Sequence, residues 1–276
     1  MFNKEKLIYT CEAQNFSDKT ISNYLGSVTK FENWLLKNKK EINIDSLMEF
    51  FSILRREGNA TATRKLHACA LRFYFKNIED NKEFASFLPS IRQESKKPVV
   101  LSKEEVKTLI GCIENKKHRA YIILLYSCGL RLSELMDVKM GDFGFDRKNL
   151  LINGKGNRQR FVPLSDNFIN YYNQYKHLFS GCEYFCSRRK DKQRMHNRSI
   201  SSIITRAAFS AKITKRVYPH LLRHSFATHC IDSGIDIRYV QVVLGHANIL
   251  CTAQYTHIST MPNDINNMNL AFLNEH

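Results

Sequence analysis

The stretch YPHLLRHSFATHC, residues 218–230, places His220, Arg223 and His224 in an apolar helical frame of Leu221, Leu222, Phe226 and Ala227, with His229 just beyond. Such a helix is bound for the interior, so its ionisable groups need a reason. They could solvate a surface, hold a metal or grip an anion. For a zinc site, His220 and His224 stand four apart, but Leu, Leu and Arg lie between them. The guanidinium would repel a dication, and the acidic base of a metalloprotease helix is missing. For an anion site the residues fit better. His220 and Arg223 are three apart and share a helix face. A guanidinium keeps its proton and forks onto two phosphate oxygens. An imidazole beside it can donate to phosphate or accept a proton near neutral pH. One helix of this kind decides nothing alone; other segments have to converge on it.

The composition agrees with a polyanionic partner. Lys and Arg number 42 against 26 acidic residues, a net charge of +16. Residues 1–93 hold 15 basic and 11 acidic side chains (+4), and residues 94–276 hold 27 and 15 (+12). That excess points to nucleic acid, and no amphipathic anchor suggests a membrane. At 276 residues, 43% hydrophobic and 25% charged, the chain has room for two globular domains. The longest apolar run, YIILLYSCGL at 121–130, is too short to cross a bilayer. The opening MFNKEKLIYTCEAQ lacks the apolar core of a cleavable signal. A soluble, cytoplasmic protein is expected, its eight cysteines reduced and without a CxxC pair. Cys182, Cys186 and His196, with His177 upstream, form a zinc-like set. Their spacing is irregular, and Cys186 sits in the apolar run YFC, which reads as a short strand. Neither a metal nor a cofactor is expected.

Periodicity divides the chain. Residues 17–37 carry Ile21, Tyr24, Leu25, Val28, Phe31 and Leu35 at helical spacing, and Ser17 or Asp18 suits the cap. Similar patterns recur over 45–56 and 60–77, which makes the first part a small helical bundle. Within it Thr61, Arg64, Lys65, Arg72 and Lys76 suit phosphates, or equally a solvated helix face. Prolines and charges interrupt the pattern near 92–100, and Ser102 with Glu105 forms a capping box that opens the next helix. The boundaries expected are 1–93 for the first domain, 94–100 for a linker and 101–276 for the second domain. In the latter, 117–128 reads as a buried helix stopped by Gly129. Two short apolar segments flank NGKGN as a hairpin. SRRKDKQRMHNR, residues 187–198, reads as an exposed basic loop leading into a helix at 199–210. Helix, glycine break and helix follow over 237–258, then an apolar tail at 262–276 that needs a docking place.

Several of these elements offer groups suited to the same anion. Arg131 follows the glycine break in CGLRLSEL, where Glu134 could buttress it. Lys155 lies in the hairpin turn, with Arg158 and Arg160 near enough to compete for its role. His246 follows Gly245 in LGHANI, and Tyr255 stands in AQYTHI. No carboxylate cluster accompanies them, as a two-metal nuclease would require.

The series CGLRLSEL, GKGNRQRFVPL, HLLRHSFATH, LGHANI and YTH resembles the tyrosine recombinase (phage integrase) family in order and spacing, most closely the compact Xer-like and small mobile-element integrases. The helical first part and the PVVLSKEEVKTLI junction extend the resemblance over nearly the whole chain. It implies a mainly α, two-domain DNA clamp: a helical, SAM-like core-binding domain, then a mostly helical catalytic domain with a small antiparallel sheet. It implies a site-specific DNA recombinase that needs neither metal nor ATP and serves integration, excision, inversion or dimer resolution. Tyr255 would attack a DNA phosphate and leave a 3′-phosphotyrosine bond. His220 would accept the phenol proton, Arg131 and Arg223 would clamp the non-bridging oxygens, Lys155 would protonate the leaving 5′-oxygen, and His246 would hydrogen-bond the phosphate. His224 and His229 remain structural. The partners implied are double-stranded recombination sites and three further copies of the chain: a homo-tetramer on DNA, monomer or dimer when free, with residues 263–274 as the helix passed to a neighbour or folded back. Two alternatives remain: a type IB topoisomerase, which uses the same active-site residue types to relax DNA, and a catalytically silent DNA-binding protein, against which the intact active positions argue.

Overall fold

Asn3, Ser17, Asn43 and Asn81 each accept a hydrogen bond from a backbone N–H of a first helical turn, which satisfies a donor that the helix itself cannot. These caps open α1 (Lys4–Ala13), α2 (Asp18–Asn38), α3 (Ile44–Arg56) and, after α4 (Thr61–Asn77), the short α5 (Lys82–Ser86). The computed structural model describes residues 2–92, 99–154, 159–188 and 192–245, and the chain divides into two units, Met1–Lys97 and Pro98–His276. In the first unit the helical spacing read from α2 delivers Val28, Phe31 and Leu35 to a core shared with Leu47, Phe50, Leu54, Leu71 and Tyr74. The first helix, α1, escapes a periodicity reading because it buries only Leu7 and Cys11.

The second unit begins at α6 (Lys103–Gly111), where the capping box forms in full: Ser102 Oγ accepts from the Glu105 N–H, and Glu105 Oε2 accepts from the Ser102 N–H. Next comes α7 (Lys116–Ser127), whose residues Ala120 to Ser127 are all buried. It ends at Gly129, whose φ of +56° allows the N–H of Leu130 to reach Leu125 O and its own N–H to reach Tyr126 O. Arg131, two residues on, caps α8 (Leu132–Asp137). A three-stranded antiparallel sheet follows, in the order β1 (Phe143–Gly144), β2 (Asn149–Asn153), β3 (Gln159–Pro163). Ile152 pairs with Arg160 and Asn153 with Gln159, so the hairpin read from NGKGN has its strands in register up to the turn.

The remaining elements are α9 (Asp166–Tyr175), α10 (Asn197–Ser210), α11 (Pro219–Asp232) and α12 (Ile237–Leu244), the last closed by Gly245 at a φ of +63°. They pack Phe168, Ile200, Ile204, Leu221, Leu222, Phe226, Val240 and Val243 onto α7 and the sheet, in one core. The YFC segment does not form the strand expected of it: Tyr184 and Ser187 make only isolated bridges, to Lys139 and Arg194. The loop after it is exposed at Arg188, Lys192, Gln193 and Arg194, yet Arg194 is fastened, donating Nε to Met136 O at 2.9 Å and pairing with Asp137. The tail at 262–276 lies outside the described residues. Among the described residues no helix is long and apolar enough to cross a membrane.

Candidate active site

Arg131 occupies the N-cap of α8, and Glu134, three residues on, turns its carboxylate back beneath it. The Arg131 N–H donates to Glu134 Oε2 at 2.8 Å and its Nη1 to Oε1 at 2.7 Å. The buttress read from the sequence is therefore present, but Glu134 does more than serve one arginine. The residue is 5% exposed, and its carboxylate receives a two-pronged pair from Arg160, Nη1 to Oε1 and Nη2 to Oε2, both at 2.9 Å. Arg223 Nη1 stands 3.6 Å from Oε2. Burial acts to raise the Glu134 pKa; the bonds and charge of Arg160, then the hydrogen bonds of Arg131, outweigh it and hold the group below the usual carboxylate value.

The same three arginines hold the end of α12. Arg160 Nε donates to Val243 O at 2.8 Å, Arg223 Nη2 to Leu244 O at 2.5 Å and Arg131 Nη2 to Gly245 O at 3.2 Å. Three successive carbonyls at a helix C-terminus, where the helix carries its negative partial charge, thus accept from three guanidiniums. Arg223 also donates Nη1 to Gly129 O at 2.7 Å, which ties α11 to the turn after α7. Burial first, then the neighbouring Arg131, with Arg160 adding to it and Glu134 opposing, pushes the Arg223 pKa down to about 10, still cationic at neutral pH.

His220 is exposed at the start of α11. Its pKa is lowered, chiefly by burial of part of the ring and then by Arg223, His224 and Arg131, so the imidazole is neutral at pH 7 and has a lone pair to offer. His224 is exposed as well. His229 is buried, with Nδ1 2.7 Å from the Tyr126 hydroxyl, and belongs to the core. The structure thus brings Arg131, His220 and Arg223 together; Lys155, His246 and Tyr255 lie outside the described residues, as does residue 158. Arg160 does not fit the role of a competitor to Lys155, because the residue is buried and its guanidinium is committed to Glu134 and Val243 O. A signal for this was present in QRFVP: strand alternation puts Arg160 on the inward face with Val162.

Elsewhere, Lys117 Nζ donates to Cys182 Sγ at 3.5 Å and to Ser187 Oγ at 2.9 Å, so an ammonium stands beside the Cys182 thiol. Among the described residues no three His, Cys, Asp or Glu side chains are grouped as a metal ion would need. In the first unit Arg64 is turned onto Asn59 O and Thr61 Oγ1, and Arg72 onto Leu88 O at 2.7 Å, while Lys65 and Lys76 are exposed.

Known proteins are similar to this chain in sequence and in fold. Residues 99–261 match the phage integrase family, and residues 4–84 match its N-terminal SAM-like domain. The tyrosine recombinase XerD of Oceanobacillus iheyensis is 31% identical over 267 residues, covering 89% of this chain and 90% of that protein. The tyrosine recombinase XerA of Thermococcus kodakarensis is 33% identical over 249 residues, covering 88% and 86%. A lambda integrase tetramer bound to a Holliday junction shares the fold with a TM-score of 0.75 at 17% identity, over 91% of this chain and 75% of that one.

Proposed function

The chain belongs to the phage integrase family of tyrosine recombinases, and from that premise we propose that it is a site-specific recombinase that cuts and rejoins duplex DNA through a covalent phosphotyrosine. The observation that carries the reading is the cluster of Arg131 and Arg223 around one buried carboxylate, with His220 beside the two arginines. The clamp is built from groups that cannot easily move: each arginine is fastened to backbone carbonyls, so little reorganisation is needed when charge develops.

In this mechanism the Tyr255 hydroxyl attacks phosphorus and its proton passes to His220, which partial burial and then the neighbouring cations keep neutral. The new bond joins the tyrosine oxygen to phosphorus, and the bond to the 5′-oxygen breaks. Lys155 gives that oxygen a proton, which leaves a free 5′-hydroxyl and a 3′-phosphotyrosine. Arg131 and Arg223 take the non-bridging oxygens, and His246 donates to the phosphate. Reversal with a different 5′-hydroxyl completes strand exchange, and the ester retains the energy of the broken bond. Exchange between two sites needs four active subunits; the lambda integrase tetramer on a junction is the precedent, and residues 263–274 are assigned to docking between copies. Residues 1–93 would bind DNA as the SAM-like domain, 94–100 would link, and 101–276 would carry the chemistry, all in the cytoplasm.

The test uses purified protein, fragmented genomic DNA and EDTA. After denaturation with detergent, DNA that stays bound to protein is isolated and its ends are sequenced. Adducts concentrated at defined sites and absent from the Tyr255→Phe protein are expected. Adducts that persist in that variant, or none from the unaltered protein, would overturn the assignment; adducts without site preference would favour DNA relaxation over recombination.

A further inference from the structure

Three guanidiniums face Glu134, but only one of them makes a complete pair with it. Arg160 places Nη1 and Nη2 on the two carboxylate oxygens and Nε on Val243 O, so all three of its nitrogens are used inside the protein. Arg131 makes one side-chain bond to the carboxylate, and its side chain is 35% exposed. Arg223 stays 3.6 Å from the carboxylate and bonds to carbonyls. The fold is shaped around Arg160: it takes an inward position of β3 opposite Ile152, and Gly245 lies against its guanidinium, where an added Cβ would be 3.0 Å from Nη1. Arg160 is therefore directed to Glu134 and Val243 O, and Arg223, which makes no such two-pronged pair, is not.

We infer that Arg160 is a positioning residue that absorbs the charge of Glu134, so that Arg131 and Arg223 keep theirs for the scissile phosphate. The inference rests on the recombinase reading above. Three guanidiniums and one carboxylate sum to +2. A phosphodiester carries one negative charge, and the pentacovalent phosphorus species formed on attack carries two when its oxygens are ionised. With Arg160 present, the cluster matches that charge. Without it, Glu134 has two vacated oxygens close to Arg131 and Arg223, the sum drops to +1, and both clamp arginines are drawn inward to a buried anion. The carboxylate orients Arg131 only because Arg160 pairs with it.

The test compares Arg160→Met, Arg160→Met combined with Glu134→Gln, and Arg160→Lys on a duplex carrying a site recovered from the adduct experiment. Adduct formation is followed under single-turnover conditions at saturating protein, alongside melting temperature and DNA affinity in the Tyr255→Phe background. Arg160→Met should slow adduct formation on the order of 10²-fold, the scale of losing one preorganised charge partner, with DNA affinity little changed. Removing the carboxylate as well should restore about tenfold or more, because the clamp arginines are then released. The Arg160→Met deficit should also shrink on a methylphosphonate duplex, whose reacting centre carries one fewer negative charge. A residue that is merely structural predicts the opposite: a double variant no faster than the single one and an equal deficit on both duplexes. That result, an unimpaired Arg160→Met, or failure of Arg160→Met and Arg160→Lys alike to fold, overturns the inference. Absence of adducts from the unaltered protein overturns the recombinase reading instead.

Discussion

Replacing Gly129 with alanine adds one methyl group at the turn where α7, α11 and α12 meet. Two costs follow from the structure. Gly129 has a φ of +56°, and an L-residue in that region loses about 1–2 kcal/mol. The new Cβ would lie 2.5 and 2.7 Å from ring carbons of Phe226 and 2.8 Å from Leu244 Cδ2, both of them buried residues. Overpacking of that kind costs about 1–3 kcal/mol, so the sum is about 2–5 kcal/mol. For a unit of this size each kcal/mol moves the melting temperature by about 2–4 °C, and a fall of roughly 4–20 °C is expected for Gly129→Ala.

The clash also bears on the chemistry. Phe226 lies one turn beyond Arg223 on α11, and Leu244 is the residue whose carbonyl Arg223 holds; Gly129 O is the other carbonyl it holds. Relief of the clash moves those anchors apart, so adduct formation should fall further than the loss of folded protein explains. Gly234→Ala is the matched control in the same unit. Gly234 has a φ of +85° and nothing within 4 Å of the added Cβ, so it incurs the backbone cost alone. Thermal melting of both variants, with adduct rates measured well below either transition, separates the two costs. If Gly129→Ala melts no lower than Gly234→Ala, or reacts at the unaltered rate when folded, the packing argument is wrong.

Two pH dependences follow from the histidines. The second-order rate of adduct formation, measured at DNA concentrations far below saturation so that it reports the free enzyme, should rise with pH through a midpoint below the ordinary histidine value of about 6.5, because burial, Arg223, His224 and Arg131 lower the His220 pKa. Arg131→Ala should shift that midpoint upward, and a midpoint at or above the ordinary value would count against His220 as the base. Stability should decline over a different group: burial lowers the His229 pKa, so the unfolded chain binds protons more tightly than the folded one, and stability falls as pH drops from about 6.5 toward the folded value. His229→Gln should remove part of the decline in melting temperature between pH 7 and 5, and an identical slope in both proteins would refute the assignment; Glu134, held low against burial by its arginines, contributes loss only at more acidic pH.

The parts of this fold legible in the sequence are those fixed by local rules. Ser17 and Ser102 cap their helices because a hydroxyl three residues ahead of an N–H is enough to do so. Gly129 stops α7 because few other residues reach a positive φ without cost. The helical spacing of Val28, Phe31 and Leu35 needs only an apolar neighbour. The segments that escaped the reading depend on distant partners. YFC has strand-like composition, but Tyr184 and Ser187 found only single bridging partners, and no pattern within the segment could have disclosed that.

The site divides along the same line. Arg131 and Glu134 were legible because three residues on a helix place them together. Arg160 was not, because β3 reverses the usual hydropathy: Phe161 is turned outward and Arg160 inward. Strand alternation alone reports the facing, but an inward arginine becomes credible only once a carboxylate 26 residues earlier is known to await it. Burying such charges is a poor way to hold a fold together, since apolar side chains of similar volume usually do as well or better. What the buried arrangement supplies that an apolar core cannot is orientation: one carboxylate and three consecutive helix-end carbonyls fix the directions of three cations before any phosphate arrives. The helix of 218–230 needed its ionisable residues for that reason. Leu221, Leu222 and Phe226 keep it on the core, Arg223 is locked between Gly129 O and Leu244 O, and His220, one turn nearer the surface, is left with an open lone pair beside a fixed positive charge.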